Sequence, residues 1–153
     1  MNREPGTYVL VLECSSRTEL QIGSWGRLQL DHGYYLYVGS ALGPGGLQAR
    51  VSRHCRRDKT RRWHVDFLRA RTRLVSVWYV QDPRRLEHSW AKALEGVEQA
   101  TPVQGFGCSD CRCFSHLFFV ADDAGLAACV HALPQGVLHW ACHDADDPPP
   151  GGR

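Results

Sequence analysis

The stretch "GYYLYVGSALGPGGLQARVSRH", Gly33 to His54, decides how this chain is read. Tyr34–Val38 is rich in aromatic and β-branched residues and predicts a strand. "ALGPGG" then breaks the chain. From Leu47 the apolar residues Leu47, Val51 and Cys55 recur at i, i+4 and i+8, the spacing of a helix face turned inward. Arg50 and His54 are also four apart, so they stack on the neighbouring face. A strand, a permissive turn and a helix would thus aim Tyr37, Arg50 and His54 at one point.

Outward from this stretch, "TYVLVLE" (Thr7–Glu13) predicts an earlier strand. The glycine-punctuated segment between Cys14 and Gly33 leaves room for a hairpin around Gly23–Gly26. A short helix fits "RRWHVDFLRA". Within it Trp63 and Phe67 are candidate core residues and Asp66 a partner for nearby arginines. "RLVSVWYV" (Arg73–Val80) predicts a third main strand. Asp82-Pro83 has the form of a helix start, with Asp82 as cap and Pro83 in the first turn. The stripe Leu86, Trp90, Ala93, Leu94 and Val97 would face inward, with Glu87 on its border. "HLFFV", "AGLAACVHAL" and "VLHW" extend the series by a strand, a helix and a last strand. The order is β-β-α-α-β-α, then a cysteine loop at 105–116 and a β-α-β extension. Residues 1–143 are expected to form a single domain. The polar, proline-rich tail 144–153 is expected to be disordered.

A length of 153 residues suits one core. The net charge is only +2, but ten of the 18 basic residues lie between positions 50 and 73. Such a block favours a polyanion, and Arg53, Arg56, Arg57, Lys59, Arg61 and Arg62 are its candidate phosphate contacts. No apolar run approaches a membrane span. "MNREPGTYVL" lacks the long apolar stretch of a signal peptide. Seven cysteines do not read as a secreted disulfide framework. An intracellular location, cytoplasmic or nuclear, is expected.

Gly6-Thr7-Tyr8, Tyr37-Val38-Gly39, Arg50 and His54 on the following helix, and Glu87 on the helix after the third main strand resemble the ordered motifs of the GIY-YIG nuclease superfamily. The stretches "GSALGPGGL", "WHVDFL" and "GFGCSDCRCFSHLF" are most similar to its small stand-alone branch of unassigned function. The resemblance implies an α+β domain with a central, mainly antiparallel sheet flanked by helices. Tyr8 and Tyr37 are 29 residues apart, far more than in the family's tight hairpin, and an inserted hairpin at about 14–33 explains the gap. The asparagine that many members carry after the glutamate helix has no match here.

The resemblance implies a divalent-metal-dependent endonuclease acting on DNA, with RNA also open and with targeting supplied by another protein or domain. Tyr8 would take a proton from water, helped by cations that depress its pKa. Tyr37 would hydrogen-bond to Tyr8, the water or a phosphate oxygen. Arg50 would grip the phosphate with its planar fork, and His54 would relay a proton or orient a neighbour. Glu87 would hold Mg²⁺ or Mn²⁺. Gly39, Ser40, Gly45 and Gly46 would let a phosphate approach the backbone, helped by the N-terminus of the following helix.

Cys108 and Cys111 with Cys113 and His116 form C-x-x-C and C-x-x-H pairs that suggest zinc. All four lie within nine residues, a tight wrap for one ion. A thiol-rich turn is the plainer reading, and His88 is a candidate ligand from elsewhere. Two alternatives to the nuclease therefore stand: a nucleic-acid-binding module of the same fold without turnover, and a zinc-stabilised interaction domain.

Overall fold

The computed structural model describes residues 1–56, 59–107 and 115–141. Arg57, the three loop cysteines Cys108, Cys111 and Cys113, and the tail 144–153 lie outside them. Six strands build an antiparallel sheet: β1 (Gly6–Cys14), β4 (Gly33–Ala41), β5 (Arg73–Gln81), β6 (Ala100–Pro102), β7 (Leu117–Val120) and β8 (Leu138–Ala141), in the spatial order β6-β7-β4-β1-β5-β8. The expected α+β architecture is therefore present. Among the described residues no helix is long and apolar enough to cross a membrane.

β1 lies at the centre and is buried on both faces, which is why "YVLVL" (Tyr8–Leu12) reads as an unbroken apolar run. Its odd and even residues divide between two cores. Tyr8, Leu10 and Leu12 pack on one face with Leu47, Val51 and Cys55 of α1 (Gly46–Cys55) and with Val65 and Leu68 of α2 (His64–Arg69). Val9 and Val11 pack on the other with Trp90, Ala91 and Leu94 of α3 (Glu87–Glu95) and Cys129 of α4 (Asp123–Ala132). The same alternation sorts the tyrosines of β4: Tyr35 and Tyr37 join the first core and Tyr34 the second.

The long gap between the two tyrosine motifs is filled by a two-stranded hairpin, β2 (Thr18–Ile22) and β3 (Gly26–Leu30). Its turn carries Trp25, which packs edge-on to Phe106. One helix start differs from expectation, and one strand, β6, was not expected. α3 begins at Glu87 rather than Pro83 and has no side-chain cap. The Asp82 carboxylate accepts instead from the backbone N–H and the guanidinium of Arg84, and this local turn wins over the cap. β6 has only three residues and ends on a proline at the sheet edge, too short for any periodic signal.

Candidate active site

β1 and β4 run antiparallel, with Tyr8 paired directly to Gly39. A Cβ on Gly39 would lie 2.5 Å from the Tyr8 hydroxyl oxygen and 2.6 Å from Cζ, so the phenol crosses the face of β4 through the space that only glycine leaves. The Tyr8 Oη stands 2.8 Å from His54 Nε2, and both side chains are 1% exposed. His54 Nδ1 has no hydrogen-bond partner among the described residues. Tyr37 approaches the same imidazole from β4, with ring centroids 6.4 Å apart. Phe106 backs Tyr37 edge-on.

Tyr8, Tyr37, Arg50 and Glu87 line one pocket of about 370 Å³, with Ser40, Arg62, Trp63 and His64 completing its rim. The guanidinium of Arg50 lies 4.6 Å above the Trp63 ring, and one of its N–H groups donates to the Ser40 carbonyl. Glu87 arrives from the first turn of α3, although the apolar stripe of that helix packs on the opposite face of the sheet. The N–H of Leu86 donates to the Thr7 hydroxyl, at 3.3 Å, and ties the start of α3 to β1 beside Tyr8. Glu87 Oε1 accepts from Ser40 Oγ and from Arg85, both at 2.7 Å, while Oε2 lies 3.5 Å from His116 Nδ1. Its side chain is 14% exposed, in keeping with its expected place on the border of the apolar stripe.

The electrostatics amend one expectation. Burial pushes the Tyr8 phenol up to about 12, outweighing the pull of Arg50 in the other direction. Burial also holds His54 well below its ordinary value, reinforced by the Lys59 charge, so at neutral pH the imidazole is uncharged. Arg50 pulls the Tyr8 phenol down but does not offset burial, and the uncharged His54 adds no cation, so the pair is a neutral phenol against a neutral imidazole. Burial likewise raises Tyr37, and Tyr8 and Glu87 add to the shift.

The glycine turn also serves a different purpose from the expected phosphate approach. Gly46 has φ +56, and a Cβ there would meet the carbonyl oxygens of Arg3 and Glu4 at 2.2 and 2.3 Å. The N–H groups of Leu47 and Gln48 donate to the carbonyls of Glu4 and Asn2. The N-terminal segment thus occupies the start of α1, where Gly45, in the left-handed region, is the preceding residue. Gly39 is taken up by Tyr8. Of the four residues expected to receive phosphate, Gly39 and Ser40 line the pocket, Gly39 from beneath the Tyr8 phenol.

The basic block divides in the same way. Arg53 makes a two-pronged contact to Asp66 at 2.8 and 2.9 Å and also donates to the Thr60 carbonyl. The ammonium of Lys59 donates to the Arg53 carbonyl and lies 3.8 Å from Asp66. Asp66, 2% exposed, also accepts from the N–H groups of Arg62 and Trp63. These partners hold its carboxyl down at about 2 despite burial. Arg69, fully buried, donates to the carbonyls of His54, Cys55 and Thr72 and so closes the end of α1. Arg56, Arg61 and Arg62 remain exposed, and of these Arg62 reaches the pocket. Trp63 and Phe67, expected as core, are half-buried, and Trp63 carries Arg50 and Arg53 on its ring.

Thr7 and Trp63 are site features whose roles were not expected, whereas His88 was expected as a ligand joining some of the cysteine-loop residues. Thr7 is the middle residue of the first motif, between the glycine and the tyrosine, and Trp63 reads as an ordinary core aromatic. His116 was expected as a possible zinc ligand with the loop cysteines, which lie outside the described residues; its ring lies against Glu87.

The sequence profile of a domain of unknown function, DUF123, matches residues 7–138 of the 153. The chain belongs to the DUF123 family. The match runs from the middle residue of the first tyrosine motif to the first residue of β8, so it takes in every residue of the pocket. No curated protein and no solved structure matches the chain.

Proposed function

We propose that this DUF123 protein is a GIY-YIG-type endonuclease that hydrolyses phosphodiester bonds in DNA with the help of a divalent metal ion. The observation that carries the reading is convergence. Tyr8 from β1, Tyr37 from β4, Arg50 from α1 and Glu87 from α3 line one pocket, with His54 behind Tyr8.

Hydrolysis needs a proton acceptor for water, stabilisation of charge on the phosphoryl oxygens, and positioning. A phenol with a pKa of about 12 is not ionised at neutral pH. Its hydrogen bond to a neutral imidazole gives the proton somewhere to go: as Tyr8 receives a proton from water, its own moves to His54 Nε2. Arg50 is placed by Ser40 and Trp63 with its planar fork at the pocket, suited to two oxygens of one phosphate. Tyr37 closes the wall and offers a hydroxyl to the same space. Glu87 suits a cation: its carboxylate is held at one oxygen by Ser40 and Arg85 and turns the other toward His116. The Mg²⁺ or Mn²⁺ expected there would neutralise charge on the phosphoryl oxygens and acidify a bound water.

The test is a panel of labelled single-stranded, duplex, flapped and branched DNAs, with RNA counterparts, incubated with Mg²⁺ or Mn²⁺. Wild type is compared with Glu87→Ala and Tyr8→Phe. The reading expects cleavage of at least one DNA, lost on chelation and reduced about 100-fold or more in both variants. Equal cleavage by wild type and both variants sinks it.

A second reading, a binding module without turnover, is favoured by the deep burial of Tyr8 and by its raised pKa. It expects salt-sensitive DNA binding, weakened by replacing Arg56, Arg61 and Arg62, and no cleavage on any substrate of the panel.

A further inference from the structure

Beside the pocket, Glu87, His88 and His116 each offer one ligand atom, and these atoms all lie within 4.8 Å of one another. The grouping joins two elements, the first turn of α3 and the residue before β7. His116 is fixed from several sides. Its N–H donates to the Phe106 carbonyl, its carbonyl accepts from the Val38 N–H, and its ring Nδ1 is 3.3 Å from the Val38 carbonyl oxygen. It is 2% exposed. The His88 ring stands nearly perpendicular to it, with centroids 5.7 Å apart and planes at 83°. His88 is exposed and so adaptable.

The carboxylate is arranged in the same sense. Ser40 and Arg85 both donate to Oε1, and Oε2 faces His116 Nδ1 at 3.5 Å. A carbonyl only accepts, so Nδ1 carries the proton it shares with Val38, and Nε2 is the nitrogen of His116 that would ligate, the arrangement usual for a metal-bound imidazole. Outer donors that orient a ligating carboxylate are a regular part of metal sites. Two imidazoles and one carboxylate suit zinc-class dications. Mg²⁺ prefers oxygen donors and keeps its waters.

We propose that Glu87, His88 and His116 form one three-ligand site for a borderline transition dication of the Zn²⁺, Co²⁺ and Ni²⁺ class, selected over Mg²⁺. The proposal deepens the nuclease reading in one respect, the identity of the ion that Glu87 holds, and otherwise rests on the donor set. It differs from a zinc site built on Cys108, Cys111 and Cys113, because its anionic ligand is a carboxylate.

The experiment is calorimetric titration of the full, metal-stripped chain with Zn²⁺, Co²⁺, Mn²⁺ and Mg²⁺, with the Co²⁺ absorption spectrum recorded alongside. Wild type is compared with Glu87→Gln, with the exposed-site variant His88→Ala, and with a Cys108→Ser, Cys111→Ser, Cys113→Ser triple variant. The proposal expects one ion per chain and affinity rising from Mg²⁺ through Mn²⁺ to Co²⁺ and Zn²⁺. It expects affinity about 10-fold or more weaker in Glu87→Gln and in His88→Ala, and unchanged in the triple variant. Mg²⁺ binding as tightly as Zn²⁺, or Zn²⁺ binding unaltered in Glu87→Gln and His88→Ala, overturns it. So does a thiolate charge-transfer band with Co²⁺ that disappears in the triple variant. Zinc-class binding with these sensitivities but no DNA cleavage keeps this proposal and removes the nuclease reading; cleavage without such selectivity does the reverse.

Discussion

Arg50 and Arg53 sit one helical turn apart on α1 and press on the same tryptophan, with guanidinium carbons 4.6 and 4.2 Å from the Trp63 ring centre. Their surroundings are opposite. Arg53 is clamped by a fully buried carboxylate and a backbone carbonyl. Arg50 spends one N–H on the Ser40 carbonyl and presents the rest of its fork to a pocket. The difference teaches that a run of basic residues is not a surface. What each charge does is set by the acceptors already beside it: Asp66 turns Arg53 and Lys59 into scaffold, while Arg50 and Arg62 face the pocket.

The comparison breaks most sharply at Asp66. Asp66→Ala leaves Arg53 and Lys59 without their carboxylate and two backbone N–H groups without an acceptor. Removing one partner of a buried pair costs about 3–5 kcal/mol, read as a lowered denaturation midpoint; a change within about 0.5 kcal/mol would mean the clamp does not hold the scaffold. On the pocket side, Gly39→Ala forces a methyl group into the Tyr8 hydroxyl. Such overpacking costs about 1–3 kcal/mol, and the Tyr8–His54 hydrogen bond should be lost with it. Retention of the wild-type Tyr8 environment by NMR would contradict the close fit.

How much of this was legible in the sequence follows from the same contrast. Leu47, Val51 and Cys55 could be placed inward because helical spacing is a local property. The inserted hairpin could be anticipated because 29 residues separate Tyr8 from Tyr37 and something must fill the gap. Glu87 could be placed on the border of an apolar stripe. The division between Arg50 and Arg53 was not legible, because it depends on where α2 delivers Asp66. The helix start was misread at Asp82, where a side chain three bonds from its own backbone found Arg84 first. His116 was read with its neighbours in the chain, Cys111 and Cys113; its proximity to Glu87 and His88 arises only when β7 pairs with β4.

A pH series sharpens the comparison further, because the two regions titrate in different windows. His54 is held neutral, below its unfolded value of 6.5. As pH falls through 6.5 the unfolded chain gains a proton that the folded chain refuses, so stability is present above that pH and declines below it. Asp66 is held at about 2 against 3.8 unfolded, so its contribution is intact above 3.8 and is lost toward pH 2. At the alkaline end Tyr8, raised from 10.0 to about 12, favours the folded chain below pH 10 and loses that advantage between 10 and 12. The expected denaturation profile bends first near pH 6.5 and again below 4. A His54→Gln variant should weaken the first bend, leaving the part that His116 supplies, since burial lowers that imidazole too, and should keep the second. A first bend of unchanged size would mean that His54 does not contribute to it.

The smallest expected effect is on stability at Arg50. Replacing it by alanine should shift the unfolding free energy by about 0.5–1 kcal/mol, since its lost contacts are one carbonyl hydrogen bond and a half-exposed ring. The most direct measurement of the central claim pairs this small effect with a large one. Single-turnover cleavage of a susceptible DNA and chemical denaturation are followed in parallel for Arg50→Ala and Arg53→Ala. Convergence on the pocket predicts that Arg50→Ala loses about 100-fold or more in cleavage rate while staying folded. Arg53→Ala should lower the denaturation midpoint yet cleave at close to the wild-type rate where it is folded. Full cleavage by Arg50→Ala, with the loss falling on Arg53→Ala, would contradict the account.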